Sequence, residues 1–339
     1  MNYRSLRRVV PLLLVIVVCA TVLATSLWWR WASRAAQTGL PQPRRVTIHT
    51  GDSVAAVGRM LEENGTVRSW RAFWWLGRGT AIRPGVYDAS PTETPRGLLR
   101  RFAQGDVATV KVTFPEGFTL AQIAKRLQNN RLVLDENAFL EMVTTQGNTF
   151  HASFTPPANL EGFLFPDTYK FPIGSDDKAI AQRMLDNFDK RVAVRLASNV
   201  KASGRTLPDV LNVAAMIERE AEVDEDRPKI ASVIYNRLQK NMRLQIDATV
   251  QYARGQHKNR LMYSDLTVDS PYNTYRVAGL PPGPICNPGL PSIEAALHPA
   301  QTDYLFYVGR PKQAHLFSKT FGDHQKNIAR LKTQASTVR

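Results

Sequence analysis

The chain has 339 residues with an ordinary globular composition, so two or more folded units and a sizeable core are expected. Its 44 Lys+Arg against 29 Asp+Glu give a formal net charge of +15, which suits nucleic acid, anionic lipid or a polyanionic wall and does not choose among them. With only Cys19 and Cys286, far apart in sequence and environment, an intrachain disulfide is not expected. A cysteine metal cluster is ruled out, and the six histidines show no metal-ligand spacing, so no metal or cofactor is expected.

Val9 to Trp29 is a run of 21 residues without a charged side chain. As a helix it would span about 30 Å, the thickness of a hydrocarbon core. Pro11 falls in the first turn, where its missing N–H costs little. Trp28, Trp29 and Trp31 gather at the far end like an interfacial aromatic anchor. Arg4, Arg7 and Arg8 precede the run, and Arg30 and Arg34 follow it. This reads as a single-pass transmembrane helix (9–29) with a cytoplasmic tail (1–8) and the bulk of the chain outside. A cleaved signal peptide is the competing reading; the length of the run and its Trp-rich, charged exit argue against it. Cys19 lacks the small preceding residues of a lipoprotein signal.

A polar linker (30–44) with Pro41 and Pro43 follows. Val46 to Ile48 then reads as a strand, Gly51 to Ser53 as a turn and helix cap, and Val54, Val57 and Leu61 as one face of a helix. The pattern repeats: residues 46–61 align without gaps on residues 112–127. Both copies run strand, Gly turn, Ser/Thr cap, amphipathic helix, and in both the Gly suits a positive-φ turn position. This spacing resembles the opening of a LysM module, a small βααβ glycan-binding fold, although similar βα units occur in many α+β proteins. A first subdomain over 45–108 is expected, with a turn and strand at Ile82–Tyr87 and a short helix at Pro95–Phe102.

Helices are expected over 135–145 and 176–198, with a loop at Lys201–Arg205. Thr206 can cap a helix from Leu207 to Ala221, where Pro208 fits the first turn and Asp209 opposes the helix dipole. Its apolar stripe is Val210, Val213, Ala214, Ile217 and Ala221. At 100° per residue Glu218 lies about 60° from the centre of that stripe, and Glu220 about 100° away on the other margin. A carboxylate beside a small-residue apolar wall loses hydration, which lifts a carboxyl pKa toward the range of an acid working near neutral pH. Pattern alone leans only slightly to Glu218 over Glu220, and both as solvated rim charges remains open. A second helix is expected at Arg227–Leu238. Proline-rich, site-forming loops follow at Gly279–Pro284 and Asn287–Pro291, then a hairpin of 304–308 with 315–318 and a last helix at Phe321–Leu331.

Several segments, in order, carry a family resemblance: Leu160–Tyr169 (LEGFLFPDTY), Ile217–Glu220 (IERE), Ala231–Leu238 (ASVIYNRL), Met242–Val250 (MRLQIDATV), Ser270–Tyr275 (SPYNTY), Gly279–Gly283 (GLPPG) and Asn287–Gly289 (NPG). From about residue 45 to 335 the chain resembles the YceG-like (MltG) endolytic murein transglycosylases. It departs at Arg219 and Ala221, where the family often carries Lys and Thr. The resemblance implies an α+β fold: an N-terminal transmembrane helix, LysM-like subdomains, and a mixed catalytic domain over 109–335 that contains the second motif.

It also implies a lyase of the inner membrane that cuts the MurNAc–GlcNAc bond of nascent peptidoglycan to leave a 1,6-anhydroMurNAc end. Glu218 matches the first, catalytic glutamate of the family's E-x-E pair. Gln245, Asp247, Asn273, Tyr275 and Asn287 are expected to orient substrate or Glu218, and Arg237 to meet a lactyl or peptide carboxylate. Glu161 and Asp167 read as structural. Peptidoglycan strands are the expected partner, with membrane lipid at the anchor and the strand-polymerising synthases as candidate neighbours. Nucleic acid is not expected, since no groove-reading motif is present. Two alternatives stay open: an anchored binder without catalysis, and a hydrolase using Glu220, Asp247 or Glu161 as a second carboxylate.

Overall fold

The computed structural model describes residues 3–255, 258, 261–310 and 313–337. It is a mixed α+β protein with an apolar N-terminal helix, divided into two compact units. Unit 1 runs to Val110 and includes Lys170–Gly174; unit 2 holds Lys111–Tyr169 and the chain from Ser175 onward.

Unit 1 opens with α1 (Tyr3–Ala32). The helix outruns the apolar segment at both ends, because flanking charge stops a hydrophobic run without stopping a helix. Within it Val10–Ala32 is long and apolar enough to cross a membrane. β1 (Arg44–Ile48), α2 (Val54–Glu63), α3 (Trp70–Leu76) and β2 (Gly85–Ala89) follow, then α4 (Pro95–Gln104). β1 and β2 pair antiparallel with Val46 opposite Tyr87, so the four elements form a βααβ unit. Its core joins Val46, Ile48, Val57, Leu61 and Phe73 to Tyr87. Ser53 caps α2 by accepting from the Ala56 N–H, as the Gly-Asp-Ser turn predicts. α3 is absent from the sequence expectation: seven residues are too few to show a period, and its tryptophans point outward.

The second copy of the repeat builds the same order: β3 (Thr109–Thr113), α5 (Leu120–Asn129), α6 (Glu136–Thr145) and β4 (Thr168–Pro172), with β3 beside β4. Gly51 and Gly117 take φ of +93° and +78°, the left-handed turn required at both repeat positions. Thr119 and Gln122 form a reciprocal capping box on α5.

Unit 2 continues with α7 (Asp177–Phe188), a π-helical turn (Asp189–Val194) and α8 (Ala197–Ser203). The loop expected from Lys201 is narrower than read: α8 persists to Ser203 and stops where Gly204 turns left-handed at φ +68°. Then come α9 (Leu207–Glu220), α10 (Arg227–Gln239), α11 (Asp247–Arg254) and α12 (Leu290–Leu297). A hairpin of β5 (Phe306–Arg310) and β6 (Gln313–Ser318) carries α13 (Phe321–Thr337).

α9 is the centre of unit 2. Every residue from Val210 to Ile217 is buried, not only the stripe expected from its period. Neighbours cover it on several sides: α10, α11 and α12 all pack against it. Glu218 is therefore the first side chain to emerge from the core at the helix's C-terminal end.

Candidate active site

Three elements meet at Glu218. α9 supplies the carboxylate, the first turn of α10 supplies Arg227, and the start of α12 supplies Gly289 and Ser292. The Glu218 side chain is only 8% exposed. Its Oε2 accepts from the Ser292 hydroxyl at 2.8 Å, from the Gly289 N–H at 3.1 Å and from Arg227 Nη1 at 3.4 Å. The same Arg227 Nη1 donates to the Ser292 hydroxyl, and Arg227 Nε donates to Asp224 at 3.0 Å. A carboxylate at the N-terminus of α12 also meets the positive end of the helix dipole. All three donors converge on one oxygen. Among the described residues none donates to Oε1.

Backbone geometry presses a second carboxyl into the same place. Gly117 lies over Glu218, with its missing Cβ 3.6 Å from Glu218 Cγ. A Cβ on Gly289 would fall 2.0 Å from the Glu116 carboxyl, so any larger residue there would require the Glu116 side chain to swing aside. Partial burial and then the neighbouring Glu218 charge raise the Glu116 pKa.

The loop carrying Gly289 is fixed by Asn287, which is 1% exposed. Its backbone bridges to Phe118, and its N–H donates to the Phe118 carbonyl at 2.8 Å. Its side chain accepts from the Leu164 N–H at 2.9 Å and donates to the Phe118 carbonyl and to Glu161 Oε1. Glu161, buried, also accepts from the Leu120 N–H at the head of α5 and from the Tyr252 hydroxyl. Burial pushes its carboxyl up to about 8 despite these donors. Asp167 accepts from Asn187 and pairs with Arg191 at 3.0 Å, a local brace of β4 and α7.

Two residues further along α9, Glu220 faces a separate polar cleft of about 660 Å³ lined by Arg237, Gln245, Asp247, Tyr275 and Tyr307. Burial drives its carboxyl up to about 7, against the pull of the hydrogen bond from the Tyr307 hydroxyl at 3.1 Å. Asp247 accepts from the Tyr275 hydroxyl at 2.6 Å. Gln245 sits exposed at φ +52° with its N–H held by the Thr274 carbonyl. The elevated pKa expected of an α9 carboxylate is thus found at Glu220.

Residue types predicted as one cluster therefore divide. Gln245, Asp247, Tyr275 and Arg237 surround Glu220, while Asn287 serves Glu218. Asn273 is fully buried: its Nδ2 donates to the Leu266 and Val268 carbonyls and its Oδ1 accepts from the Tyr275 N–H. Its side chain braces its own turn, as that of Asn287 braces the 286–289 loop. Arg237 lines the cleft but spends its donors on the Leu305, Arg243 and Leu244 carbonyls. All three, expected to orient substrate or Glu218 or to meet a carboxylate, spend side-chain donors on backbone carbonyls of the fold.

A family model for the YceG-like family matches residues 46–330. The chain belongs to that family. Among YceG-like relatives, an endolytic murein transglycosylase of Bacillus subtilis (strain 168) is 35% identical over 302 residues, covering 83% of this chain and 82% of the relative. One of Streptococcus pneumoniae (strain R6) is 29% identical over 317 residues, 84% of this chain and 57% of the relative. The crystal structure of a YceG-like protein from Listeria monocytogenes aligns with a TM-score of 0.57 at 34% identity, covering 84% of this chain and 98% of that one.

Sequence reasoning in this YceG-like chain missed Ser292, Arg227 and Glu116. Pro291 was the available signal for Ser292, since Pro in a first turn after a Gly marks a helix start and places position 292 there. In sequence Arg227 reads only as the first residue of a helix, and Glu116 only as part of the repeat.

Proposed function

We propose that the protein is an endolytic murein transglycosylase in which Glu218 is the acid/base. The observation that carries this reading is the asymmetry of its carboxyl. Oε2 is held by a hydroxyl, an amide and a guanidinium, while Oε1 has no donor among the described residues. A carboxyl clamped on one oxygen has a fixed orientation and one oxygen free to exchange a proton with a ligand.

The reaction needs no more than that. Protonated Glu218 donates to the glycosidic oxygen as the MurNAc C1–O bond breaks. The carboxylate then accepts the proton of the sugar's own O6 hydroxyl as O6 bonds to C1. The proton count closes, no water enters, and the new end is a 1,6-anhydroMurNAc. A hydrolase would instead deliver water with the help of a second carboxylate.

A second reading places the acid at Glu220, favoured by its carboxyl near 7 and its polar cleft. The likeness to relatives named endolytic murein transglycosylases supports the reaction class in either case.

The same reading makes α1 a single-pass anchor in the cytoplasmic membrane with the rest outside it. The βααβ unit within 45–108 serves as a LysM-like glycan-binding module, and residues 109–335 form the catalytic domain. Nascent strands are the substrate, and synthases are the neighbours in the membrane. Product analysis by mass spectrometry tests the proposal: full-length protein acting on uncrosslinked glycan strands yields anhydro ends, whereas reducing ends would make it a hydrolase and intact strands a binder.

A further inference from the structure

The chain contains six tryptophans, and all of them lie in unit 1 at one place. Trp28, Trp29, Trp70, Trp74 and Trp75 line a groove of about 630 Å³ with Arg71, and Trp31 follows on the same helix as Trp28 and Trp29. Trp29 of α1 meets Trp75 of α3 edge to face, ring centres 4.9 Å apart, which ties α3 to the end of the apolar helix. α3 is inverted for a soluble surface helix. Its inner side buries Ala72 and Phe73, yet its outer side shows Trp74 at 42% and Trp75 at 53% exposure.

Arginines sit on these rings. Arg59 and Arg71 lie over Trp70, Arg78 over Trp74 and Arg68 over Trp31, at 4.8 to 5.6 Å. Acidic side chains are absent from residues 1–51 and 64–87, which hold every tryptophan and Arg68, Arg71 and Arg78; Arg59 alone has acidic neighbours in sequence, Glu62 and Glu63. Indoles with a polar N–H, interleaved with cations that have no acidic partner among the described residues, match the layer of phosphates and carbonyls at a bilayer surface and do not match water. The patch is continuous with the end of α1, where the charge-free run stops. Its charge complements anionic headgroups.

We propose that α3 and the Trp70–Arg78 segment lie on the outer interfacial layer of the bilayer that α1 spans, with phospholipid headgroups occupying the Trp-lined groove. The proposal rests on the anchor reading of α1. Its consequence is a first unit seated on the membrane through two elements and not swinging on a tether.

Because every tryptophan belongs to the patch, intrinsic fluorescence reports on it without a label. The test uses the full chain in nanodiscs containing anionic phospholipid and lipid brominated near the head of the acyl chain. Two triple variants separate the elements. W70F/W74F/W75F leaves only the α1 indoles, and W28F/W29F/W31F leaves only those of α3. The inference expects blue-shifted emission and loss of intensity on brominated lipid in both. Quenching of the α1 indoles alone, with red-shifted, acrylamide-accessible α3 indoles, overturns the docking and leaves the anchor intact. Quenching of neither overturns both. A blue-shifted α3 signal indifferent to bromine would mean that protein and not lipid covers the patch. As a control that keeps the indoles, R71E/R78E is expected to reduce α3 quenching most in anionic bilayers; equal quenching would remove the headgroup from the account.

Discussion

The Ser292 hydroxyl donates to Glu218 Oε2 at 2.8 Å, joining the start of α12 to the end of α9. That bond, with the Gly289 N–H and Arg227, sets which oxygen of the carboxyl is held and which is free. Replacing Ser292 by Ala removes the donor without adding bulk. Hydrogen bonds to charged groups are worth about 1.5–3 kcal/mol, so S292A is expected to lower turnover on glycan strands roughly tenfold to a hundredfold. Losing this buried hydroxyl, which also accepts from Arg227, is expected to lower the melting temperature by a few degrees while the protein stays folded. Wild-type turnover in S292A would detach this bond from catalysis.

Gly289 and Glu116 should be coupled. The Cβ of G289A would fall 2.0 Å from the Glu116 carboxyl, so one of the two must move. G289A is expected to lose activity, and G289A/E116A to regain part of it, giving a positive coupling in a double-mutant cycle. Additive losses would show that the loop yields elsewhere.

Asn287 acts through the fold. N287A leaves the Leu164 N–H and a Phe118 carbonyl lone pair without their side-chain partner inside the protein. An expected cost of about 2–5 kcal/mol follows from stranding buried groups. Denaturant unfolding of the full chain in detergent reads it, and a loss below about 1 kcal/mol would contradict the account.

Stability should fall as pH rises. Glu161 and Glu220 titrate near 8 and 7 in the folded protein, against an ordinary value of 4.5. Between 4.5 and those values the folded state holds protons that the unfolded state has released. The contribution of both groups is complete below about pH 4.5 and is lost as pH climbs through 7 and 8. Melting temperature followed from pH 5 to 9 is expected to decline. In E161Q, where the amide keeps an acceptor and cannot ionise, the decline should be shallower. An unchanged slope in E161Q would place the pH dependence elsewhere.

The sequence made α9 legible because its signals are local: Thr206 caps it, accepting from the Asp209 N–H, and Pro208 sits in its first turn. The gapless repeat likewise foretold two Gly turns and two capped helices, since turn and cap chemistry act within a few residues. What it left open is long-range. Whether Asn273 and Asn287 face a ligand or a backbone carbonyl depends on partners brought up by the fold, such as Leu164, 123 residues from Asn287. Ser292 and Arg227 are unremarkable helix-start residues until α10 and α12 meet beside α9. The period of α9 also misled on burial, because a central helix is covered on more sides than its most apolar stripe.

Turnover of E218Q against E220Q on purified glycan strands decides which α9 carboxylate moves the proton. E218Q in the full chain is expected to lose roughly a hundredfold to ten-thousandfold of its rate, the usual worth of a general acid/base, while remaining folded. E220Q is expected to keep most of its rate. An active E218Q beside an inactive, folded E220Q would transfer the chemistry to the Tyr307 cleft and contradict the assignment made here.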